Sequence, residues 1–211
     1  MGTLRAGLAG PYPPFTSDDG GLDAELIVAL GERLGDDVVI ETLDDVADGL
    51  ARLRTGDYDV LLGGLTVTGG AGLDGAAMSL PPYVITGNGL AVNTRRLPHV
   101  HAVADLDGLT VRSDDRAGLE AAVADLESGA CDALIAPAPV LVRLVRDVPD
   151  VEVVARGLSV EEIAVAVAAE NTALMARLQV AQAELEEDGT LQKLRRKWLG
   201  NPYVDQASAV R

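Results

Sequence analysis

Two short stretches of the chain carry the groups that would hold a small molecule. The first is Gly10-Pro11-Tyr12-Pro13-Pro14-Phe15, in which two rings stand on a stiff, proline-rich turn. The second is Gly63-Gly64-Leu65-Thr66-Val67-Thr68, where glycines let the backbone approach a ligand and Thr66 and Thr68 supply hydroxyls. Tyr12, Phe15 and Tyr83 are three of the protein's six aromatics, and all fall in such turns. A ring there either stacks on a flat or apolar part of a ligand or plugs a core of small residues. The chemistry suggested is reversible binding. Proton transfer would need an acid or base in the cleft, and the carboxylates suggested for that role are Asp74 and Asp114.

Other reactive residues are sparse. Cys131 is the single cysteine, so no internal disulfide forms; it lies in the apolar run 130–136 and reads as a small buried hydrophobe. His99 and His101 have the alternation of a metal pair, but no cysteine or third histidine is near in sequence, so neither a metal nor a cofactor is expected. Arg112-Ser113-Asp114-Asp115-Arg116 opens a helix, with Ser113 or Asp114 as its cap. Arg112 is either a cation facing a solute or half of a surface ion pair. Asp23 reads as a helix N-cap.

These residues must be positioned by an alternating α/β chain. Leu4 to Leu8 forms a strand running into the Tyr12 turn. Leu26, Ile27, Leu30 and Leu34 have helical spacing, with Gly35 as the stop. Val38 to Ile40 is a strand, Val46, Leu50 and Leu53 mark a helix closed near Gly56, and Tyr58 to Leu62 is a buried strand. Strand-helix-strand-helix-strand spells a parallel sheet. In open α/β sheets ligands bind beyond the carboxyl ends of the strands, so the Tyr12 and Gly63 turns face one edge. The pattern restarts after a strand at Gly87 to Asn93. Short strands follow at Thr110 to Arg112, Asp132 to Ala136, Val151 to Ala155 and Ile163 to Ala168, with helices over 119–126 and 140–145. Asn171 caps a long helix, and a last helix turns Leu191, Leu194 and Trp198 inward.

Composition agrees with a globular protein. The 211 residues are 48% apolar, and a chain of this size buries roughly 70% of its unfolded surface. Aromatics are only 3%, so the core is mostly Ala, Val and Leu. A formal charge of −16 repels phosphate backbones, which argues against nucleic acid and anionic membranes as partners. The uncharged stretch 75–94 contains Pro81-Pro82 and Gly87-Asn88-Gly89, which break a membrane-spanning helix.

Five stretches in order resemble the bacterial family 3 extracellular solute-binding proteins, which serve amino-acid ABC importers. They are Tyr12 to Phe15 with Gly21 to Leu26; Gly56-Asp57-Tyr58-Asp59 through Thr68; Ser79-Leu80-Pro81-Pro82-Tyr83; Glu187-Asp188-Gly189-Thr190-Leu191; and Lys197-Trp198-Leu199-Gly200. The resemblance implies a type II periplasmic-binding-protein-like fold. Each of its two lobes is a mainly parallel sheet flanked by helices, and two crossover strands join them. Lobe 1 would take residues 1–88 and 172–211, and a shortened lobe 2 residues 89–171. It further implies a small polar organic solute in the interlobe cleft, held by Tyr12, Phe15, Val46, Gly63, Gly64, Leu65, Thr66, Thr68, Arg112, Ser113 and Pro137. Val46 fits core packing equally well.

Three departures from the family stand out. Its amino-acid binders place an arginine after the Thr-x-Thr to clamp the α-carboxylate; here the position is Ala71. They place an acid after the second-lobe strand for the α-ammonium; here Pro137 follows Ala136. The interval from Val111 to Asp132 is also about half the family's, so a helix and strand are expected to be missing. Losing both charged partners makes the usual grip on an α-amino acid improbable.

Three functions fit these residues: a monomeric solute-binding protein working with an ABC permease, a cyclohexadienyl-dehydratase-like lyase on the same scaffold, or a degenerate sensor module. No leader peptide is visible. A removed leader would place the protein outside the cytoplasm, lipid-anchored in the lipoprotein case; a true start at Met1 would place it in the cytoplasm.

Overall fold

In the computed structural model, residues 2–68, 73, 75, 77–113 and 116–201 are described. The chain forms two compact units, residues 2–85 with 162–201, and residues 86–161.

The first unit is built on β1 (Thr3–Ala9), β2 (Asp37–Leu43) and β3 (Val60–Leu62). β1 lies between the other two and is parallel to both, in register from Thr3 opposite Asp37 to Ala9 opposite Leu43. β4 (Ala77–Ser79) completes the far edge, and β11 (Ala166–Ala168) fits antiparallel between β3 and β4. That pairing draws residues 162–171 into the first unit, whereas the sequence suggested a return only at 172. The sheet is therefore mixed: parallel where helices connect consecutive strands, antiparallel where the chain returns.

Local signals explain the helices. α1 (Leu22–Leu34) buries Leu22, Leu26, Ile27 and Leu30 and stops at Gly35, whose left-handed backbone returns its N–H to the last turn. α2 (Val46–Thr55) starts at Asp45, whose carboxylate accepts the Ala47 N–H at 2.9 Å. α5 (Thr172–Glu187) starts at Asn171, which accepts the Leu174 N–H, and buries Leu174, Leu178 and Leu185. α6 (Thr190–Leu199) buries Leu191, while Leu194 and Trp198 are half-buried. Both α5 and α6 pack on α1. With few rings available, the layers approach closely: a Cβ at Gly31 of α1 would lie 2.1 Å from Val38 Cγ2 on β2. Leu43, Leu53, Tyr58, Leu61, Leu65 and Ala166 form one core cluster. Burial pushes the Tyr58 phenol up, and Arg52, 3.0 Å from its oxygen, opposes that.

The second unit has β6 (Asn88–Asn93), β7 (Val111–Arg112), β8 (Ala133–Pro137) and β9 (Val151–Ala155) in the order β7-β8-β6-β9. Only β7 and β8 are parallel; β6 is antiparallel to both β8 and β9. This departs from the expected mainly parallel second lobe, because the entering strand β6 sits mid-sheet and runs against both neighbours. Its core joins Leu90, Val92, Val100 and Ala133, with α3 (Leu119–Ser128) and α4 (Ala138–Leu144) packed on the sheet. Between β7 and β8 the described residues hold one 3-10 turn, Arg116–Gly118, and α3. The chain passes between the units within β5 (Val84–Thr86) and β10 (Glu161–Ile163), which pair with each other. No helix among the described residues is long and apolar enough to cross a membrane.

Candidate functional site

The glycine turn after β3 is packed from below and wired from both sides. Gly63 and Gly64 have φ of 131° and 63°, a region that disfavours side chains. A Cβ at Gly64 would stand 2.7 Å from Phe15 Cδ2 and 2.8 Å from Tyr12 Cδ1, so both rings lie on the glycine backbone. The rings stack with centroids 6.0 Å apart. Phe15 has no exposed surface and Tyr12 only 9%, so in this structure Phe15 is packing, and Tyr12 offers little beyond an edge. The Tyr12 turn is fixed by its own bonds: the Tyr12 N–H donates to Thr16 O at 2.8 Å, and the Thr16 hydroxyl donates to Ala9 O at 3.0 Å.

Asp23 has a different role from the expected N-cap. Gly21 occupies the N-cap, and Asp23 lies one residue inside α1 with no exposed surface. Its Oδ2 accepts the N–H groups of Gly63 and Gly64, both at 2.7 Å, and its Oδ1 accepts the Tyr83 hydroxyl at 2.5 Å. Three donors satisfy a carboxylate that would otherwise be costly to bury. The sequence held a signal: Asp23 falls on the same face as Leu26, Ile27 and Leu30, and a charge in an apolar stripe demands partners. Tyr83 is likewise fully buried, its hydroxyl consumed internally.

On the other side the turn meets β10. The Val67 N–H donates to Glu162 O at 2.8 Å, Ala164 N–H to Leu65 O at 3.1 Å, and Glu162 N–H to the Thr68 hydroxyl at 2.8 Å. Leu65 is buried in the core cluster, and Thr66 is half-buried opposite Ile163. Val46, the first residue of α2, is half-buried against the same cluster. Ala71, Asp74 and Asp114 lie outside the described residues.

In the second unit, Arg112 forms an ion pair with Asp125, the surface-pair alternative of its two readings. Ser113 is exposed, and Pro137 ends β8 half-buried and leads into α4. Among the described residues no group of three or more metal-ligating side chains comes together.

The first unit also contains a cavity of about 310 Å³ at the carboxyl ends of β1 and β2. Leu8, Leu43 and Ala24 give it apolar walls, and Thr16 and Thr42 are among its hydroxyl-bearing lining. Among the described residues, Asp18 and Asp44 are its only charged lining, and neither has an ion-pair partner there. None of the sequence-expected site residues lines it. The sequence signal for this cavity is Asp44, which directly follows the carboxyl end of β2.

The sequence profile of the bacterial extracellular solute-binding proteins, family 3, matches residues 4–201. The chain belongs to this family. The L-cystine-binding protein TcyJ of Escherichia coli (strain K12) is 28% identical across 94% of this chain and 83% of that protein. An ancestral arginine-binding protein, solved bound to arginine, superposes with a TM-score of 0.77 at 26% identity, over 95% of this chain and 99% of the other. The ancestral amino acid-binding protein AncCDT-1, a precursor of cyclohexadienyl dehydratase, gives 0.75 at 25% identity over 94% and 95%. These solved proteins share the mixed α/β fold of this chain over nearly its whole length.

Proposed function

We propose that this family 3 protein is the solute-binding component of an ABC-type uptake system, working outside the cytoplasm with a membrane permease. It takes a small polar, amino-acid-like solute. The family match across residues 4–201 carries this reading. The relatives described as binding L-cystine and arginine support the solute class. Thr66, Thr68 and the exposed edge of Tyr12 are the candidate contacts of the first unit, and Arg112, Ser113 and Pro137 those of the second, each unit taken by itself. Ala71 and Pro137 replace the usual arginine and acid, so recognition relies on hydroxyls, backbone groups and shape. Asp18 and Asp44 line a separate cavity at the ends of β1 and β2, and their charge favours a cationic group there.

A thermal-shift panel of L-arginine, L-lysine, L-cystine, L-glutamine and putrescine tests this. A ligand at 100 times its Kd adds about 2.7 kcal/mol, which raises the Tm of a chain this size by about 5–11 °C. If no member shifts the midpoint at millimolar concentration, the reading is lost. A lyase on the same scaffold would need a free acid or base; Asp23, the buried carboxylate beside the glycine turn, already accepts three hydrogen bonds.

A further inference from the structure

We infer that Asp23 and Tyr83 are positioning residues that lock the glycine turn and join it to both chain connections between the units, an inference that takes its role in binding from the reading above. A buried carboxylate can be held by nearby donors without any functional consequence. Here three of its donors come from two distant segments. Gly63 and Gly64 belong to the turn after β3, and Tyr83 immediately precedes β5, the first connection. The Tyr83 N–H donates at 3.0 Å to Ile163 O, the last residue of β10, the second connection. From its other end the turn reaches β10 directly, through Val67, Thr68 and the Thr66–Ile163 bridge. The hydrogen bonds thus close a circuit: glycine turn, Asp23, Tyr83, Ile163 and back to the turn. Every side chain on the Asp23–Tyr83 branch is fully buried, so water cannot replace a lost bond, and the circuit opens as one unit.

The circuit also fixes which groups the turn can present. With the Gly63 and Gly64 N–H groups committed to Asp23, those two donors do not receive a solute carboxylate. A turn held in this way is ordered before a solute arrives, which lowers the ordering cost of binding.

Amide hydrogen exchange by NMR tests the circuit without any ligand. Tyr83→Phe removes one hydroxyl and keeps the ring. Exchange at Gly63 and Gly64 should accelerate at least about tenfold, well beyond the change at α1 core amides such as Leu30. Leu178→Ala, a buried truncation in α5, should accelerate globally exchanging amides without singling out the two glycines. Unchanged glycine exchange in Tyr83→Phe, or acceleration that merely follows the global loss, overturns the inference. The unmodified protein gives a second test should Tyr83→Phe fail to fold: Gly63, Gly64 and the turn-facing Ala164 amide must be protected to within about threefold of one another, and fast exchange at any of them breaks the circuit. L-arginine and L-cystine titrated into both proteins separate the two ideas. Failure of both to bind the unmodified protein counts against the solute reading, while the exchange data still decide the circuit. Equal affinity of a binding probe for the unmodified protein and Tyr83→Phe removes Tyr83 from any positioning role.

Discussion

Gly64→Ala should be among the most damaging small substitutions in the first unit, for two separable reasons. The backbone at Gly64 has φ of 63°, and placing an L-residue there costs about 1–2 kcal/mol. The new methyl would also stand 2.7–2.9 Å from Phe15 and Tyr12 ring atoms, in a buried place where neither ring has room to retreat. Overpacking of that kind costs about 1–3 kcal/mol. The sum is about 2–5 kcal/mol. Gly56→Ala isolates the first part, because Gly56 has φ of 80° and nothing within 4 Å of its would-be Cβ. Urea unfolding of both variants measures the difference, which should be about 1–3 kcal/mol with unchanged m-value. Phe15→Leu in the Gly64→Ala background should recover part of the loss, since it removes ring atoms at the point of contact. Equal costs for the two glycine variants would mean that the rings do not press on the turn, and the packing account of the site would fail.

Stability should also fall in acid. The Gly2 N–H and then Arg177 hold the Asp36 carboxyl below its usual range; the His101 and Ala102 N–H groups do so for Asp105, and the Thr190 hydroxyl and N–H, with Arg33, for Asp188. Groups depressed on folding contribute stability above the unfolded carboxyl pKa of about 3.9 and lose it as pH falls through their folded values. Melting midpoints should therefore be insensitive to these groups above about pH 5 and drop below about pH 4; an unaltered acid limb in an Asp36→Asn, Asp105→Asn, Asp188→Asn triple variant would refute the assignment. Asn171→Ala removes the α5 cap and should cost about 0.5–2 kcal/mol in urea unfolding, with Asn171→Ser restoring most of it. Arg112→Ala breaks a partly exposed pair with Asp125, and loss of that pair should cost at most about 1 kcal/mol of stability; a large fall in affinity for a solute from the panel, with that small stability change, would show that Arg112 leaves Asp125 to meet the ligand.

Much of the molecule was legible in the chain itself. Leu26, Ile27 and Leu30 at helical spacing, closed by Gly35, define α1 because a left-handed stop and an apolar stripe are local properties. Asn171 and Gly56 mark helix ends for the same reason. The succession of strand, helix and strand placed the Tyr12 and Gly63 turns at strand ends, since short connections leave little choice. The tertiary structure decided the rest. β4 and β5 went unread because three-residue strands among prolines and glycines carry no period, and they become strands only by pairing with β11 and β10. The direction of β6 and the return at β11 depend on partners far along the chain. Asp23 most clearly marks the limit: its sequence neighbourhood fits a helix cap, and only folding brings Gly63, Gly64 and Tyr83 to its oxygens. Local chemistry fixes where an element begins and ends; which buried group satisfies which is set by contacts that sequence distance conceals.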